Sequence, residues 1–378
     1  MRRQRNAKIL ATLGPASSTE EMIRTLFEAG ADVFRLNFSH GTLDDHAAAL
    51  NMIREIAAER GEPICVVGDL CGPKVRLGDF ADGPVSIKPG DIIEVVGPNE
   101  PCTAQRFSIS YPELVAEVDI GERIYIDDGM VRLLVTERRG DALIAACTTG
   151  GLVSSHKGVN LPDTRLSTPA LTEKDRRDLD WAIDHELDYV ALSFVREPED
   201  LYELKRLIKE RGSDLRVIIK IEKREALQHL DELIAETDVV LVARGDLGVE
   251  TDIWRVPLVK KDIVARCREA GVPVIVATQM LQSMVTQPMP TRAEVSDVAN
   301  AILDRADAVM LSAETAVGQY PVESVDMLNR IAAATEEYLR RRPHEHTETS
   351  VSARYRPTGA VAHAVAQAAL DLGARLVA

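Results

Sequence analysis

Arg216-Val217-Ile218-Ile219-Lys220-Ile221-Glu222 is followed, after a stretch with helical spacing, by Val239-Val240-Leu241-Val242-Ala243-Arg244-Gly245-Asp246. Each quoted segment is a short apolar run that ends in charged or glycine residues, the mark of a buried strand running into a loop. The same unit recurs at Lys8–Gly14, Val33–Phe38, Ile64–Leu70, Tyr189–Phe194, Pro273–Met280 and Ala308–Glu314, which makes eight runs in all. Strands alternating with helices predict right-handed βαβ units and a parallel sheet. Eight such units close most simply into a (β/α)₈ barrel, and residues 8–71 with 169–335 together approach the ~250 residues typical of one. A doubly wound sheet would ask for a glycine-rich phosphate loop after its first strand, which Gly14-Pro15-Ala16-Ser17 does not supply.

About a hundred residues separate the third and fourth runs, far more than an ordinary connection. Within them Val85–Ile87, Ile92–Val96, Gly121–Ile126, Val131–Val135 and Ala142–Ala146 read as short strands, with turns at Asp128-Gly129 and Arg139-Gly140-Asp141. The predicted organisation is an α/β catalytic barrel over 1–72 and 169–342, with a small β-barrel lid inserted at 73–168. Residues 343–378 read as a linker and the start of a truncated third domain, with a helix over 360–372. Ser18-Thr19-Glu20-Glu21 reads as a capping box closed off by Gly30, and Thr172-Glu173-Lys174-Asp175 reads as a second box.

Of the 378 residues, 45% are hydrophobic and only 4% aromatic, a bias that suits strands buried on both faces. The net charge of −15 argues against a nucleic-acid partner, so an anionic substrate would need a locally basic cleft. Five scattered cysteines without a C-x-x-C pair point to a reducing cytoplasm. No apolar run of signal-peptide or membrane-spanning length is read in the sequence.

Function in such a barrel collects at the C-terminal ends of the strands. Here those ends carry Arg35, Asn37, Ser39 and His40, then Asp69, Lys220 with Glu222, Gly245 with Asp246, Thr278, and Ser312 with Glu314. Glu222 and Asp246, on adjacent strand ends, offer two hard oxygen ligands of the kind Mg²⁺ (or Mn²⁺) takes alongside water and substrate. Either carboxylate alone is better explained by an ion pair with a neighbouring Lys or Arg; together, at facing barrel positions, the two favour the metal. Lys220 lies two residues before Glu222 and so shares its strand face. It could neutralise a transferring phosphoryl group, form a Schiff base, or pair with Glu222. The metal pair beside it favours phosphoryl chemistry. Arg35 supplies a fork for phosphate or carboxylate. Thr278 could hold a water or carboxylate oxygen, or equally bond the local backbone.

At these residues the chain closely resembles the pyruvate kinase family. The matching stretches run in order: Arg35-Leu36-Asn37-Phe38-Ser39-His40-Gly41, Lys157-Gly158-Val159-Asn160-Leu161-Pro162, Lys220-Ile221-Glu222, Ala243-Arg244-Gly245-Asp246-Leu247-Gly248, Ala277-Thr278-Gln279-Met280-Leu281 and Pro290–Ala301. The resemblance implies transfer of phosphoryl from phosphoenolpyruvate to ADP, giving pyruvate and ATP. It implies that Glu222 and Asp246 hold Mg²⁺, that Lys220 and Arg35 meet the phosphoryl group, and that Gly245, Asp246 and Thr278 hold the enolate. Asn37, Ser39, His40, Arg76 and Lys157 would serve the nucleotide side. It also implies a homo-oligomer, a tetramer in the family, weakened here by the truncation.

In much of the family K⁺ sits among groups matching Asn37, Ser39, Asp69 and the backbone of Leu70. Lys74 stands where those members carry glutamate, and its ammonium could take the place of the ion, so K⁺ is expected not to be required. Two other readings are a catalytically impaired scaffold, and a barrel lyase that uses Lys220 as a Schiff base.

Overall fold

A computed structural model describes residues 5–341 and the positions Val361, Ala364, Val365 and Ala368. The remainder of the third domain expected at 343–378 lies outside the described residues. Eight parallel strands close into one barrel: Lys8–Thr12, Val33–Asn37, Cys65–Asp69, Tyr189–Leu192, Arg216–Ile221, Val239–Ala243, Val274–Ala277 and Ala308–Leu311. Each pairs with the next, and the first pairs with the eighth through Lys8 with Ala308 and Ile9 with Val309. Across the insertion, the third and fourth strands meet at Val67 with Tyr189 and Gly68 with Val190.

All eight expected strands are present, but in two of the runs the strand gives way to helix before the run ends. Arg244–Glu250 and Ala313–Ala316 are helices, so Asp246 sits in the first turn of a helix and not on a strand end. A carboxylate is favoured in a first helical turn, where the free N–H groups lie. The first capping box also differs. Thr19 is the N-cap and accepts the Met22 N–H, which puts a methionine where the reciprocal carboxylate is needed. At the second box Thr172 and Asp175 bond reciprocally.

The period of two along each strand sorts the barrel into layers. Val217, Ile219 and Ile221 point outward into the core shared with the helices, whereas Ile218 joins Leu10, Val67, Leu241, Ile275 and Met310 in the barrel interior. Continuing the inward parity from Ile218 brings Lys220 into the same interior, one layer nearer the C-terminal end. Val67 leads in the same way to Asp69, Leu10 to Thr12, and Ala191 to Ser193. The sequence therefore fills the lower barrel with aliphatic side chains and its mouth with polar ones.

The segment between the third and fourth strands has a separate core that includes Ile93, Phe107, Ile124, Leu133 and Leu143. Its strands pair as a six-stranded sheet beside a two-stranded one. Three of them were not expected, Arg106–Ser108, Gly151–Val153 and Val159–Asn160; runs of three, three and two residues are too short to show alternation. Both crossings into this segment are tied to the barrel. The Gly72 N–H donates to Asp175 at 3.1 Å, and Arg196 donates to the carbonyls of Leu166 and Thr168 at 2.5 and 2.6 Å. Among the described residues, no helix is long and apolar enough to cross a membrane.

Candidate active site

Thr12, Arg35, Asp69, Ser193 and Lys220 form one connected polar layer across the barrel mouth. Arg35 donates from Nε to Asp69 at 2.6 Å and from Nη1 to Thr12 Oγ1 at 3.0 Å. Thr12 Oγ1 in turn donates to the Leu311 carbonyl. Lys220 Nζ donates to Ser193 Oγ at 2.8 Å and lies 2.8 Å from Glu222 and 3.5 Å from Asp69. Burial alone would raise the Asp69 carboxyl, but the charges of Arg35 and Lys220 outweigh it, and its pKa falls below the ordinary value. Burial works against the Lys220 ammonium too. Asp69 and Glu222 overcome it, and Lys220 stays protonated with a raised pKa. A largely buried lysine persists as a cation only where its partners are this close.

Glu222 is buried just past the end of its strand, and its Oε2 accepts the Phe194 N–H at 2.8 Å. Burial raises its pKa and Asp246 raises it further, while Lys220 pulls the other way. The two carboxylates thus face each other across one space. Their repulsion is what a divalent cation relieves, and carboxylate oxygen is the donor type that magnesium prefers. The residues present fit that ion. Two protein ligands leave room for water and substrate oxygens.

Thr278 begins a tight reversal after the seventh strand. Its φ of 67° and the 53° of Gln279 put two consecutive side-chain-bearing residues in left-handed backbone, and a β-branched residue there is strained. The reversal is held from below by Arg244, which donates to the carbonyls of Ala277 and Thr278 at 3.1 and 2.5 Å and pairs with Asp297. The hydroxyl is bonded to backbone on both sides, as the sequence allowed: Thr278 Oγ1 accepts the Gly245 N–H at 2.7 Å and donates to the Ala277 carbonyl at 2.7 Å, and the half-buried side chain still reaches the cavity beside Asp246. The Pro290–Ala301 stretch contributes through Asp297 and through Glu294, which accepts the Ser283 N–H at 2.7 Å.

A cavity of about 140 Å³ opens above this layer, and Arg35, Asn37, Ser39, His40, Asp69, Leu70, Lys74, Arg76, Lys220, Glu222, Asp246 and Thr278 all reach it. Burial lowers the His40 pKa, and the cations Arg76, Lys74 and Arg35 lower it further. That side of the cavity is the basic cleft an acidic chain needs for an anion. Lys157 does not line the cavity; it donates to Asp127 at 2.9 Å within the inserted segment. Gly245 does not line it either; its N–H donates to Thr278, which does. Ser193, Phe194 and Thr12 were not singled out from the sequence. The parity that marks Lys220 and Asp69 would have marked Ser193 and Thr12 as well.

A family profile described as "Pyruvate kinase, barrel domain" matches residues 4–325. The chain is 46% identical over 378 residues to "Pyruvate kinase 2" of Synechocystis sp., covering 99% of this chain and 63% of that protein. It is 46% identical over 333 residues to "Pyruvate kinase" of Mycobacterium intracellulare, covering 88% of this chain and 71% of that protein. Against "Pyruvate kinase" of Agrobacterium vitis it is 45% identical over 379 residues, covering 100% of this chain and 79% of the relative. The chain thus spans between 63% and 79% of the length of these relatives. With the barrel, the charged layer at its mouth and these identities agreeing, the chain belongs to the pyruvate kinase family.

Proposed function

We propose that this chain is a phosphotransferase that moves the phosphoryl group of phosphoenolpyruvate to ADP, yielding pyruvate and ATP. One observation carries the reading: Arg35, Lys220, Glu222 and Asp246 converge on a single cavity. Magnesium, which Glu222 and Asp246 would hold, would supply charge neutralisation to the phosphoryl group. Arg35 offers its fork to the phosphoryl oxygens, and Lys220 places a permanent ammonium beside them. Asp69 and Ser193 fix the direction of that ammonium, so little reorganisation is needed as charge moves. Gly245, Asp246 and Thr278 receive the enolate portion, with the Thr278 hydroxyl beside the face where a proton arrives. Asn37, Ser39, His40 and Arg76 take the nucleotide phosphates. Lys157 joins them once the inserted segment, 73–168, moves as a lid over the barrel formed by 1–72 and 169–342. Closure would exclude water from the phosphoryl group. The cytoplasm is the natural compartment for five free thiols.

The lyase alternative is weakened by the state of Lys220. A Schiff-base lysine must lose its proton to attack a carbonyl, and this one is held protonated by Asp69 and Glu222. The pocket around Asn37, Ser39, Asp69 and Leu70 also contains Lys74, which supports a fixed ammonium standing in for K⁺. A lactate dehydrogenase-coupled assay for pyruvate tests both parts. Turnover is expected to require Mg²⁺ (or Mn²⁺) and to proceed in tetramethylammonium buffer with little gain on adding K⁺. Pyruvate formation without any divalent ion would contradict the metal assignment, and a large K⁺ activation would contradict the role of Lys74.

A further inference from the structure

A second cavity, of about 540 Å³, lies between the inserted segment and the barrel and shares no lining residue with the one above Lys220. Arg123, Tyr125 and Arg132 form one wall, from the hairpin of the insertion, while Arg224, Trp254 and Arg255 form the other, from the barrel. Four guanidinium groups around one cleft stand out in a chain of net charge −15. Not all are spoken for. Arg123 is held by Asp163 in a bidentate pair at 2.6 and 2.7 Å. Arg132 lies over the Tyr125 ring at 5.0 Å and, among the described residues, donates only to the Gly129 carbonyl. Neither it nor Arg224 nor Arg255 is in salt-bridge contact with a described carboxylate, although the field of Arg224 reaches Asp163.

Three carboxylates also border the cleft, Asp128, Glu250 and Asp252. Glu250 is already satisfied, accepting Lys223 at 2.7 Å and Asn160 at 3.0 Å. Setting aside Arg123 with Asp163 and Glu250 with Lys223, three arginines face two aspartates, and the cleft keeps a positive excess. Trp254 is 72% exposed and presents a flat apolar surface beside Arg255. The volume falls in the range of small-molecule sites, where a few polar groups orient an otherwise apolar body.

We propose that this cleft binds a phosphorylated aromatic anion of the aryl- or nucleoside-monophosphate class. Arg224, Arg255 and Arg132 meet the phosphate, since a planar guanidinium matches its oxygens two at a time. Trp254 stacks on the ring. Such an occupant touches the insertion on one side and the barrel on the other, so it fastens the two together at a cavity separate from the one above Lys220. This inference does not rest on the catalytic reading, because binding is read without turnover.

The chain holds two tryptophans, and Trp181 is stacked on His185 away from the cleft. In a Trp181→Phe background, Trp254 is the only tryptophan emitter and its fluorescence can be titrated with phenyl phosphate. A saturable change is expected. In Arg224→Ala/Arg255→Ala, which alters two exposed side chains, the apparent affinity should fall about tenfold or more, as for loss of hydrogen bonds to a charged group. Inorganic phosphate should bind more weakly than phenyl phosphate, and benzyl alcohol should produce no saturable change. No saturable response to phenyl phosphate, an unchanged affinity in the double variant, or inorganic phosphate binding as tightly would each overturn the proposal.

Discussion

Asp69 is buried between two cations, Arg35 at 2.6 Å and Lys220 at 3.5 Å, and that placement has a thermodynamic signature. Its folded pKa is depressed below the ordinary value. Linkage then gives the sign: the stabilisation is complete above the unfolded pKa of about 3.9 and is lost as pH falls through the folded value. Asp69→Asn should therefore flatten the acid limb of the stability profile below about pH 4. At neutral pH it should cost about 3–5 kcal/mol, the usual price of stranding a buried charge by removing its partner. Chemical denaturation at a series of pH values checks both. An acid limb as steep in the variant as in the wild type would show that Asp69 is not the group responsible. The same residues show how far single positions can be read. Lys220, Glu222 and Arg35 were legible because charged residues closing apolar runs are conspicuous. Ser193 was not, because a serine at a strand end looks like a turn residue until its oxygen is seen accepting from Lys220.

At the scale of elements, the loop after the seventh strand stores strain at Thr278 and Gln279 that the chain must hold in place. Arg244 supplies the restraint, reaching from the helix Arg244–Glu250 to two carbonyls of that loop and to Asp297. Arg244→Ala should release it. Each hydrogen bond to a charged group contributes about 1.5–3 kcal/mol, so the loop is expected to open locally before global unfolding. Hydrogen exchange at residues 277–281 should accelerate by at least an order of magnitude while the strand Arg216–Ile221 keeps its protection. Equal acceleration at both would mean that Arg244 supports the whole barrel and not the loop. This arrangement is one that sequence patterns conceal. The run Val239–Asp246 reads as continuous strand, yet the chain turns into helix at Arg244, and nothing in the local spacing announces that Arg244 bridges to a residue fifty-three positions away.

Across the whole molecule, an acidic protein concentrates cations at one end of a barrel whose lower interior is aliphatic. The order of eight strands and the position of the insertion follow from spacing, because buried parallel strands have a strong apolar signature. The fine structure of the insertion does not, since strands such as Val159–Asn160 have two residues and owe their pairing to neighbours such as Tyr125 and Ile126. The charges at the mouth have meaning only collectively: Asp69 is kept ionised by Arg35 and Lys220, Lys220 by Asp69 and Glu222, and Glu222 is left facing Asp246. Phosphorus-31 NMR of the chain with phosphoenolpyruvate, ADP and Mg²⁺ observes the transfer itself. The account predicts that the phosphoenolpyruvate signal is replaced by that of the γ-phosphate of ATP, and that Lys220→Met, folded by circular dichroism, slows this by about 10²–10³-fold or more, as when one preorganised charge is removed from an active site. Release of inorganic phosphate in place of ATP, or unimpaired transfer by the Lys220→Met protein, would contradict it.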